Sequence, residues 1–303
     1  MIYRIAGVNV NTSHERILQL LIDCSERVRQ SVIDANHATM GESVGMGADG
    51  ESTSRIDQIA EQAALDCFDT ADISGNVLSE EVGFVDRGSP ITFILDPIDS
   101  TSNATVAIPA VHDKTPPSIP DLHTSQMVGF PYFAFSVAAM IDHQLVAACV
   151  RNLPTGDVFT AVVNQGAAFN SAPISTASIE RLSDAWVALI RPSGEEGLRR
   201  VSTILTGAKR VRITGCSALD IALIASGGIH GLVNPNAHRP PNSGEKVVDY
   251  AGAQLILHEA GGRITDTEGN PLPIDHDVAR LTPVLAAATP ALHDELVRSI
   301  HPS

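Results

Sequence analysis

Two closely spaced aspartates, Asp96 and Asp99, form the part of the sequence best suited to chemistry. They follow an apolar stretch, residues 91–95, and the hydroxyl and amide side chains of residues 100–103 come next. Carboxylate oxygens are the ligands that hard divalent cations such as Mg²⁺ prefer. Ser, Thr and Asn often begin helices, and the free N–H groups of a first helical turn bind anions. The arrangement implies a phosphate group joined to the protein through metal ions.

The same residues are also compatible with an ordinary turn. Asp and Ser are common turn residues, and Pro97 fixes φ and pushes Asp96 toward an extended conformation. The stretch alone does not separate a metal site from a turn, so the rest of the chain must decide.

The elements expected to position these residues begin upstream. Residues 91–95 are rich in β-forming apolar side chains and predict a buried strand. Apolar residues at helical spacing predict a helix over 13–36 and a second helix from about Ile56 to Phe68. Between these helices, the glycine-rich residues 41–54 predict a loop. Asp57 falls in the first turn of the second helix, where it could simply favour the helix dipole.

The remaining chain divides by pattern into two parts. Short strands joined by turns over 131–170 predict an antiparallel sheet. Beyond that, strands and helices alternate, which predicts α/β layers. We therefore expect an N-terminal α+β domain over 1–183 and a C-terminal α/β domain over 184–303 that completes the site. Residues 107–127 predict a surface insertion.

Composition excludes several classes of protein. The 303 residues carry a net charge of −15, which argues against a nucleic-acid groove. The longest apolar region, 130–150, is interrupted by Asp142, His143 and Gln144 and cannot span a bilayer. The four cysteines lack metal-site spacing and suit a reducing compartment. Since the N-terminus also lacks a signal-peptide core, we expect a cytoplasmic protein with no membrane or nucleic-acid partner.

Several fragments in order make the sequence similar to the inositol monophosphatase family, and most closely to its archaeal-type members that act on both inositol monophosphate and fructose 1,6-bisphosphate. The similarity covers about residues 15–295. The fragments that carry it are Gly47-Ala48-Asp49-Gly50, Ser79-Glu80-Glu81, Asp96-Pro97-Ile98-Asp99-Ser100-Thr101, Gly215-Cys216-Ser217-Ala218-Leu219, Val248-Asp249-Tyr250-Ala251-Gly252 and Glu259-Ala260-Gly261-Gly262.

The resemblance implies a layered α-β-α-β-α sandwich, with an antiparallel N-terminal sheet and a mixed C-terminal sheet. It also implies a metal centre with two or three Mg²⁺ ions. Glu80, Asp96 and the Ile98 carbonyl would bind one ion, and Asp96, Asp99 and Asp249 a second, while a third, weaker ion is expected near Glu80. Two such ions can stabilise both the attacking and the leaving oxygen of an in-line displacement.

The resemblance also implies catalytic and substrate-binding residues. Asp57 and Thr101 would orient and deprotonate the attacking water. The N–H groups of Ser100 and Thr101 would hold the phosphate. A homodimer is a further expectation. The implied substrate-binding residues are Asp99, Ser100, Thr101, Gly215, Cys216, Ser217 and Asn234.

Departures from the family pattern concern the turn and one loop. Ser100 stands where Gly is usual, and it would cost about 1 kcal/mol or more if φ there is positive. Asn234 occupies the place of an acid that contacts the inositol ring in animal-type members. The segment 234–247 is longer than usual. Within it, Arg239 or Lys246 could contact a second phosphate or a carboxylate, or could be a solvated loop charge.

These observations favour a Mg²⁺-dependent phosphomonoesterase whose substrates are small sugar or polyol phosphates. The expected substrate is inositol monophosphate, fructose 1,6-bisphosphate or both. A second reading keeps the chemistry but changes the substrate to a nucleotide 3′-phosphate or histidinol phosphate. A third is a catalytically degenerate relative used for binding or regulation.

Overall fold

The computed structural model describes residues 13–35, 39–105, 130–236 and 244–301. Its first half contains two long helices, one short helix, a short hairpin and the strands of a large sheet. In chain order these are α1 (His14–Asp34), β1 (Ser43–Met46), β2 (Ser52–Ser54), α2 (Arg55–Thr70), β3 (Asn76–Ser79), β4 (Gly83–Val85), β5 (Ile91–Asp99), α3 (Thr101–Thr105), β6 (Ala134–Ile141), β7 (Gln144–Asn152), β8 (Val158–Val162), β9 (Gly166–Phe169) and β10 (Ala172–Ile174).

The second half alternates strands and helices, as the sequence predicts. It contains a 3₁₀ turn at Leu182–Asp184, β11 (Trp186–Leu189), α4 (Gly194–Gly207), β12 (Arg210–Arg212), α5 (Ser217–Ala225), β13 (Gly231–Val233), α6 (Val247–Glu259), β14 (Arg263–Asp266), β15 (Val284–Ala287) and α7 (Pro290–Ile300).

Two sheets organise these elements. The larger has eight strands in the order β10-β9-β8-β7-β6-β5-β3-β4, and it is antiparallel except for the parallel pair β3–β5. The smaller has five strands in the order β12-β11-β13-β15-β14 and is mixed. The boundary predicted near residue 183 lies between the last strand of the larger sheet and the first of the smaller. Because α5 and α6 share one core with both sheets, this domain division stays a prediction.

Alternating residues of β5 show how the layers stack, since successive side chains of a strand point to opposite faces. Phe93 and Leu95 pack with α1 and α2 on one face of the larger sheet. Ile94 packs with α5 and α6 on the other face, and that core continues onto the smaller sheet. A third cluster joins the far side of the smaller sheet to α4 and α7. The predicted five-layer α-β-α-β-α sandwich is confirmed.

Strand β5 runs four residues beyond the predicted 91–95 and ends at Asp99, with all nine of its residues buried. Its pairing with β6 is irregular between Asp96 and Asp99. Irregular pairing tolerates Pro97, which has no N–H to donate, and redirects the neighbouring side chains. The two aspartates therefore occupy a buried, distorted strand end.

The prediction of a loop over 41–54 was wrong in part, because β1 and β2 form a two-stranded hairpin there. Its tip, residues 47–50, lies against the turn after β3, where the Ala48 N–H donates to the Glu81 carbonyl at 2.9 Å. The predicted insertion over 107–127 and residues 237–243 of the long 234–247 segment lie outside the described residues. Over the parts of the chain that are described, no helix combines the length and apolar character needed to cross a membrane.

Candidate active site

Three acidic side chains from separate elements converge at the end of β5. Glu80 follows β3, Asp96 lies in β5, and Asp249 lies in the first turn of α6. One carboxylate oxygen from each lies within 4.8 Å of the others. Asp96 is 2% exposed, and the other two are half-buried. The structure thus brings together three of the five predicted metal-binding residues.

Asp99 and Ile98 adjoin this group with different contacts. One oxygen of Asp99, Oδ2, accepts the Ala218 N–H at 2.6 Å and the Cys216 Sγ–H at 3.2 Å. The Ile98 carbonyl accepts from the Thr101 hydroxyl at 3.2 Å, and the Ile98 N–H donates to Asp96 Oδ1 at 2.9 Å. Asp99 therefore links β5 to the start of α5. Its role as a ligand, and that of Ile98, stay predictions.

The acidic cluster raises the pKa values of its own carboxyl groups. Burial raises the pKa of Asp96, and repulsion from Glu80, Asp249 and Asp99 raises it further. Burial and then Asp249 raise the pKa of Glu80. Burial is likewise the largest cause for Asp249, whose pKa rises to about 7. Such a buried, mutually repelling set of hard oxygen donors fits the charge and ligand preference of Mg²⁺.

This repulsion predicts an unusual pH dependence for the metal-free protein. Carboxyl pKa values are about 4 in the unfolded chain, but those of Asp99 and Asp249 are about 7 in the folded chain. The folded state therefore binds more protons between these values, and its stability falls as pH rises through this window. In EDTA we expect a lower thermal midpoint at pH 8 than at pH 5, and Mg²⁺ should reverse much of that loss. A metal-free midpoint that is higher at pH 8 would contradict this electrostatic account.

The predicted catalytic pair, Asp57 and Thr101, is in contact. The Thr101 hydroxyl lies 2.8 Å from Asp57 Oδ1. Asp57 Oδ2 accepts from the backbone N–H of Ser54 at 3.0 Å and from its hydroxyl at 2.7 Å, which caps α2. Burial raises the pKa of Asp57 despite these hydrogen bonds. Asp57 thus caps the start of α2 and also contacts Thr101.

Ser100 has a left-handed backbone, with φ of 73°. This is the conformation for which the family's usual Gly is suited. Its hydroxyl is buried and has no hydrogen-bond partner within the described ranges. Ser100 therefore carries both a backbone cost and an unsatisfied polar group.

Ser100→Gly should raise the free energy of unfolding by about 1 kcal/mol. The substitution removes the cost of a positive φ at a residue with a side chain and the cost of a buried hydroxyl without a partner. These two gains outweigh the greater backbone entropy that Gly has in the unfolded chain. Urea denaturation of the metal-free protein measures this change. Ser171 provides a matched control, since it has φ of 67° but lies exposed, so Ser171→Gly should stabilise less. Destabilisation by Ser100→Gly would show that the serine hydroxyl contributes a favourable contact.

The predicted substrate-binding loop, residues 215–217, lies beside this turn. A Cβ on Gly215 would stand 3.6 Å from Ser100 Oγ, and Gly215 has φ of 84°. Asn103 fixes the loop by donating to the Thr214 carbonyl at 2.8 Å. The Ser217 hydroxyl donates to Glu245 at 2.7 Å. The loop therefore faces the turn between β5 and α3, and the side chains of Cys216 and Ser217 are hydrogen-bonded within the protein.

Asn234 is turned inward and is 1% exposed. Its amide donates to Glu245 Oε1 at 2.8 Å, and its oxygen accepts the Asn236 N–H at 3.0 Å. The sequence reasoning missed Glu245, a buried acid whose pKa burial raises to about 7. No motif in the sequence singles it out.

Lys246 contacts two carboxylates of the chain itself. Its Nζ pairs with Asp49 at the tip of the β1–β2 hairpin and lies 2.6 Å from Glu80 Oε1. Burial lowers the pKa of Lys246, but Glu80 and Asp249 outweigh it and hold the pKa above its usual range. The reading of Lys246 as a solvated loop charge was wrong, and Arg239 lies outside the described residues.

Comparison with known proteins decides the family. The profile of the inositol monophosphatase family matches residues 15–303. The chain belongs to this family. A "Fructose-1,6-bisphosphatase/inositol-1-monophosphatase" of Methanothermobacter thermautotrophicus is 29% identical over 271 residues, covering 86% of this chain and 87% of that protein. The family resemblance inferred from the sequence is thus confirmed.

Other relatives are more varied in name. A "Bifunctional NADP phosphatase/NAD kinase" of Methanococcus maripaludis is 29% identical over 84% of this chain and 44% of that protein. The crystal structure of the extragenic suppressor protein suhB of Bartonella henselae superposes with a TM-score of 0.74 at 22% identity, covering 95% of this chain and 99% of that chain. The structural match shows that this family member has the same fold.

Proposed function

We propose that this family member is a Mg²⁺-dependent phosphomonoesterase that hydrolyses inositol monophosphate, fructose 1,6-bisphosphate or both. The observation that carries the proposal is the convergence of Glu80, Asp96 and Asp249 within 4.8 Å, next to a turn that also bears the Asp57–Thr101 pair. Buried like charges of this kind are costly unless a cation balances them. Family membership supports phosphatase chemistry.

The carboxylates would hold the metal ions. Glu80, Asp96 and Asp249 supply the donor group already brought together, and Asp99 and the Ile98 carbonyl complete the proposed set. When bound, Mg²⁺ supplies Lewis-acid activation of a phosphoryl oxygen and lowers the pKa of water. Asp249 is fixed for this role because its Oδ2 accepts the Lys246 N–H at 2.7 Å at the start of α6.

The Asp57–Thr101 pair would manage the proton of the attacking water. The Thr101 hydroxyl accepts a proton from water as its own proton passes to Asp57, 2.8 Å away. The water oxygen forms a bond to phosphorus, the ester P–O bond breaks, and the leaving oxygen takes up a proton from solvent to give the alcohol. Asp57 then returns its proton to solvent. Burial raises the pKa of Asp57 and so makes it a better base than an exposed aspartate.

The phosphate would lie at the turn between β5 and α3. The first N–H groups of a helix have no intrahelical partner, so those of Ser100 and Thr101 can donate to phosphate oxygens. The loop at residues 215–217 lies across this turn, where Gly215 leaves room beside Ser100. Asn234 carries an amide, and that amide is hydrogen-bonded to Glu245, so this position presents no carboxylate to a polyol ring.

A second candidate substrate is a phosphorylated nucleotide such as NADP. This candidate is favoured by the relative named as an NADP phosphatase, which is 29% identical to this chain. The relative named as a fructose-1,6-bisphosphatase and inositol-1-monophosphatase has the same identity to this chain. The inward-facing Asn234 also differs from the ring-contacting acid of the animal-type pattern.

Phosphate release from a substrate panel tests the proposal. The panel contains inositol 1-phosphate, fructose 1,6-bisphosphate, NADP, 3′-phosphoadenosine 5′-phosphate and histidinol phosphate, each with Mg²⁺ and with EDTA. We expect Mg²⁺-dependent turnover of the first two. Faster turnover of NADP would transfer the proposal to the nucleotide candidate. No turnover of any ester would support the binding or regulatory relative and contradict an enzyme.

A further inference from the structure

Lys246 brings a fixed positive charge to the edge of the proposed metal centre. Its Nζ pairs with Asp49 and lies 2.6 Å from Glu80 Oε1. Its side chain is 10% exposed and that of Asp49 is 1% exposed. In the parts of the chain described here, no other basic side chain forms an ion pair with Glu80, Asp96, Asp99 or Asp249.

The backbone holds this lysine in place. The Lys246 N–H donates to Asp249 Oδ2 at 2.7 Å, so the residue is tied to the first turn of α6. On the opposite side, the hairpin tip is tied to the turn after β3, since the Asp49 N–H donates to the Glu80 carbonyl at 3.3 Å. The tip is tightly packed, because a Cβ on Gly47 would lie 2.9 Å from Glu81 Oε2. Lys246 and Asp49 therefore meet from two anchored elements.

Glu80 and Asp49 form the oxygen pair that a third cation would need at this edge. An ammonium group within hydrogen-bond distance of both carboxylates fills the space between them and neutralises part of their charge. A divalent ion on the same oxygens would have to displace it and would be repelled by it. Among the described ion pairs, the Lys246 ammonium group contacts neither Asp96 nor Asp249, so it does not compete with the ions proposed for those two carboxylates.

We propose that the Lys246 ammonium group takes the place of a third divalent cation between Asp49 and Glu80, so that the centre binds two divalent ions per chain. This inference rests on the proposed function for the existence of the metal centre. It assigns Lys246 a positioning role, in which it fastens the β1–β2 hairpin to Glu80 without a metal ion.

Counting bound Mn²⁺ tests the proposal without a substrate. Mn²⁺ is titrated into the metal-free full-length protein to millimolar concentration, and the free ion is counted by electron paramagnetic resonance. We expect two ions per wild-type chain. Lys246→Gln should bind three, the third more weakly, and Lys246→Gln with Asp49→Asn should return to two. Lys209→Gln, at an exposed lysine, is the matched control and should bind two.

A wild-type count other than two overturns the proposal, as does a folded Lys246→Gln protein that still binds two. If circular dichroism shows that Lys246→Gln is unfolded, the wild-type count and Asp49→Asn decide, because Asp49→Asn should leave the count at two. The outcome is separable from that of the proposed function. Two ions without turnover of any ester would contradict the phosphatase and keep the lysine assignment, and three ions with turnover would do the reverse.

Discussion

Asp96→Asn is expected to lower the rate of phosphate release by about 10³-fold or more, equivalent to about 4 kcal/mol of transition-state stabilisation. Asp96 is the most buried of the three converging acids, and both of the others repel its charge. The amide preserves shape but removes the charge that a divalent ion requires. The measurement is kcat/KM at saturating Mg²⁺ on whichever ester the panel identifies.

The stability of the same variant separates metal binding from misfolding. Because burial and neighbouring acids raise the pKa of Asp96, removing its charge should leave the metal-free protein as stable as the wild type or more stable at pH 8. The increase in thermal midpoint on adding Mg²⁺ should be lost. Asp72→Asn, at an exposed position, is the control and should change neither property. Full activity in Asp96→Asn would remove this residue from the metal centre.

Thr101→Val is expected to lower kcat by about 10²- to 10³-fold, the range for loss of a positioned acid–base group. Valine keeps the β-branched shape but cannot bridge water to Asp57, which lies 2.8 Å from the threonine hydroxyl. The affinity for Mn²⁺ should change little, because the three converging carboxylates are intact. Steady-state kinetics alongside Mn²⁺ titration measure both quantities.

Thr101→Ser is the matched control for this substitution, since it restores the hydroxyl without the methyl group. We expect it to recover most of the lost kcat. If Thr101→Val kept the kcat of the wild-type protein, the proton path through Asp57 would be wrong, whatever the metal content. If both were equally impaired, packing of the methyl group at the start of α3 would account for the loss instead.

The sequence predicts the fold well where local patterns coincide with tertiary structure. The apolar run before Asp96 predicted the central strand, and the helix predicted over 13–36 corresponds to α1, whose N-cap residue is Ser13. The strand continues to Asp99 because tertiary burial and an irregular pairing override the turn signals of Pro97. The β1–β2 hairpin was missed because its few residues are polar and glycine-rich, and its strands are only four and three residues long.

Only those site residues that lie in sequence motifs could be predicted from the sequence. Glu80, Asp96 and Asp249 stand in recognisable fragments, and the structure brings them together. The contact between Lys246 and Asp49 joins residues 197 positions apart and has no local signature. The same holds for Glu245, whose carboxylate joins Ser217 to Asn234. Such long-range polar pairs depend on how α6 and the hairpin pack, which no spacing in the sequence encodes.

The most direct test of the central claim is the anomalous scattering of Mn²⁺ in crystals of the full-length protein. The account predicts anomalous peaks in coordination with Asp96, one shared with Glu80 and one with Asp249, and their loss in crystals of Asp96→Asn. Peaks confined to other parts of the molecule, with Glu80, Asp96 and Asp249 free of metal in a protein that hydrolyses phosphate esters, would contradict it.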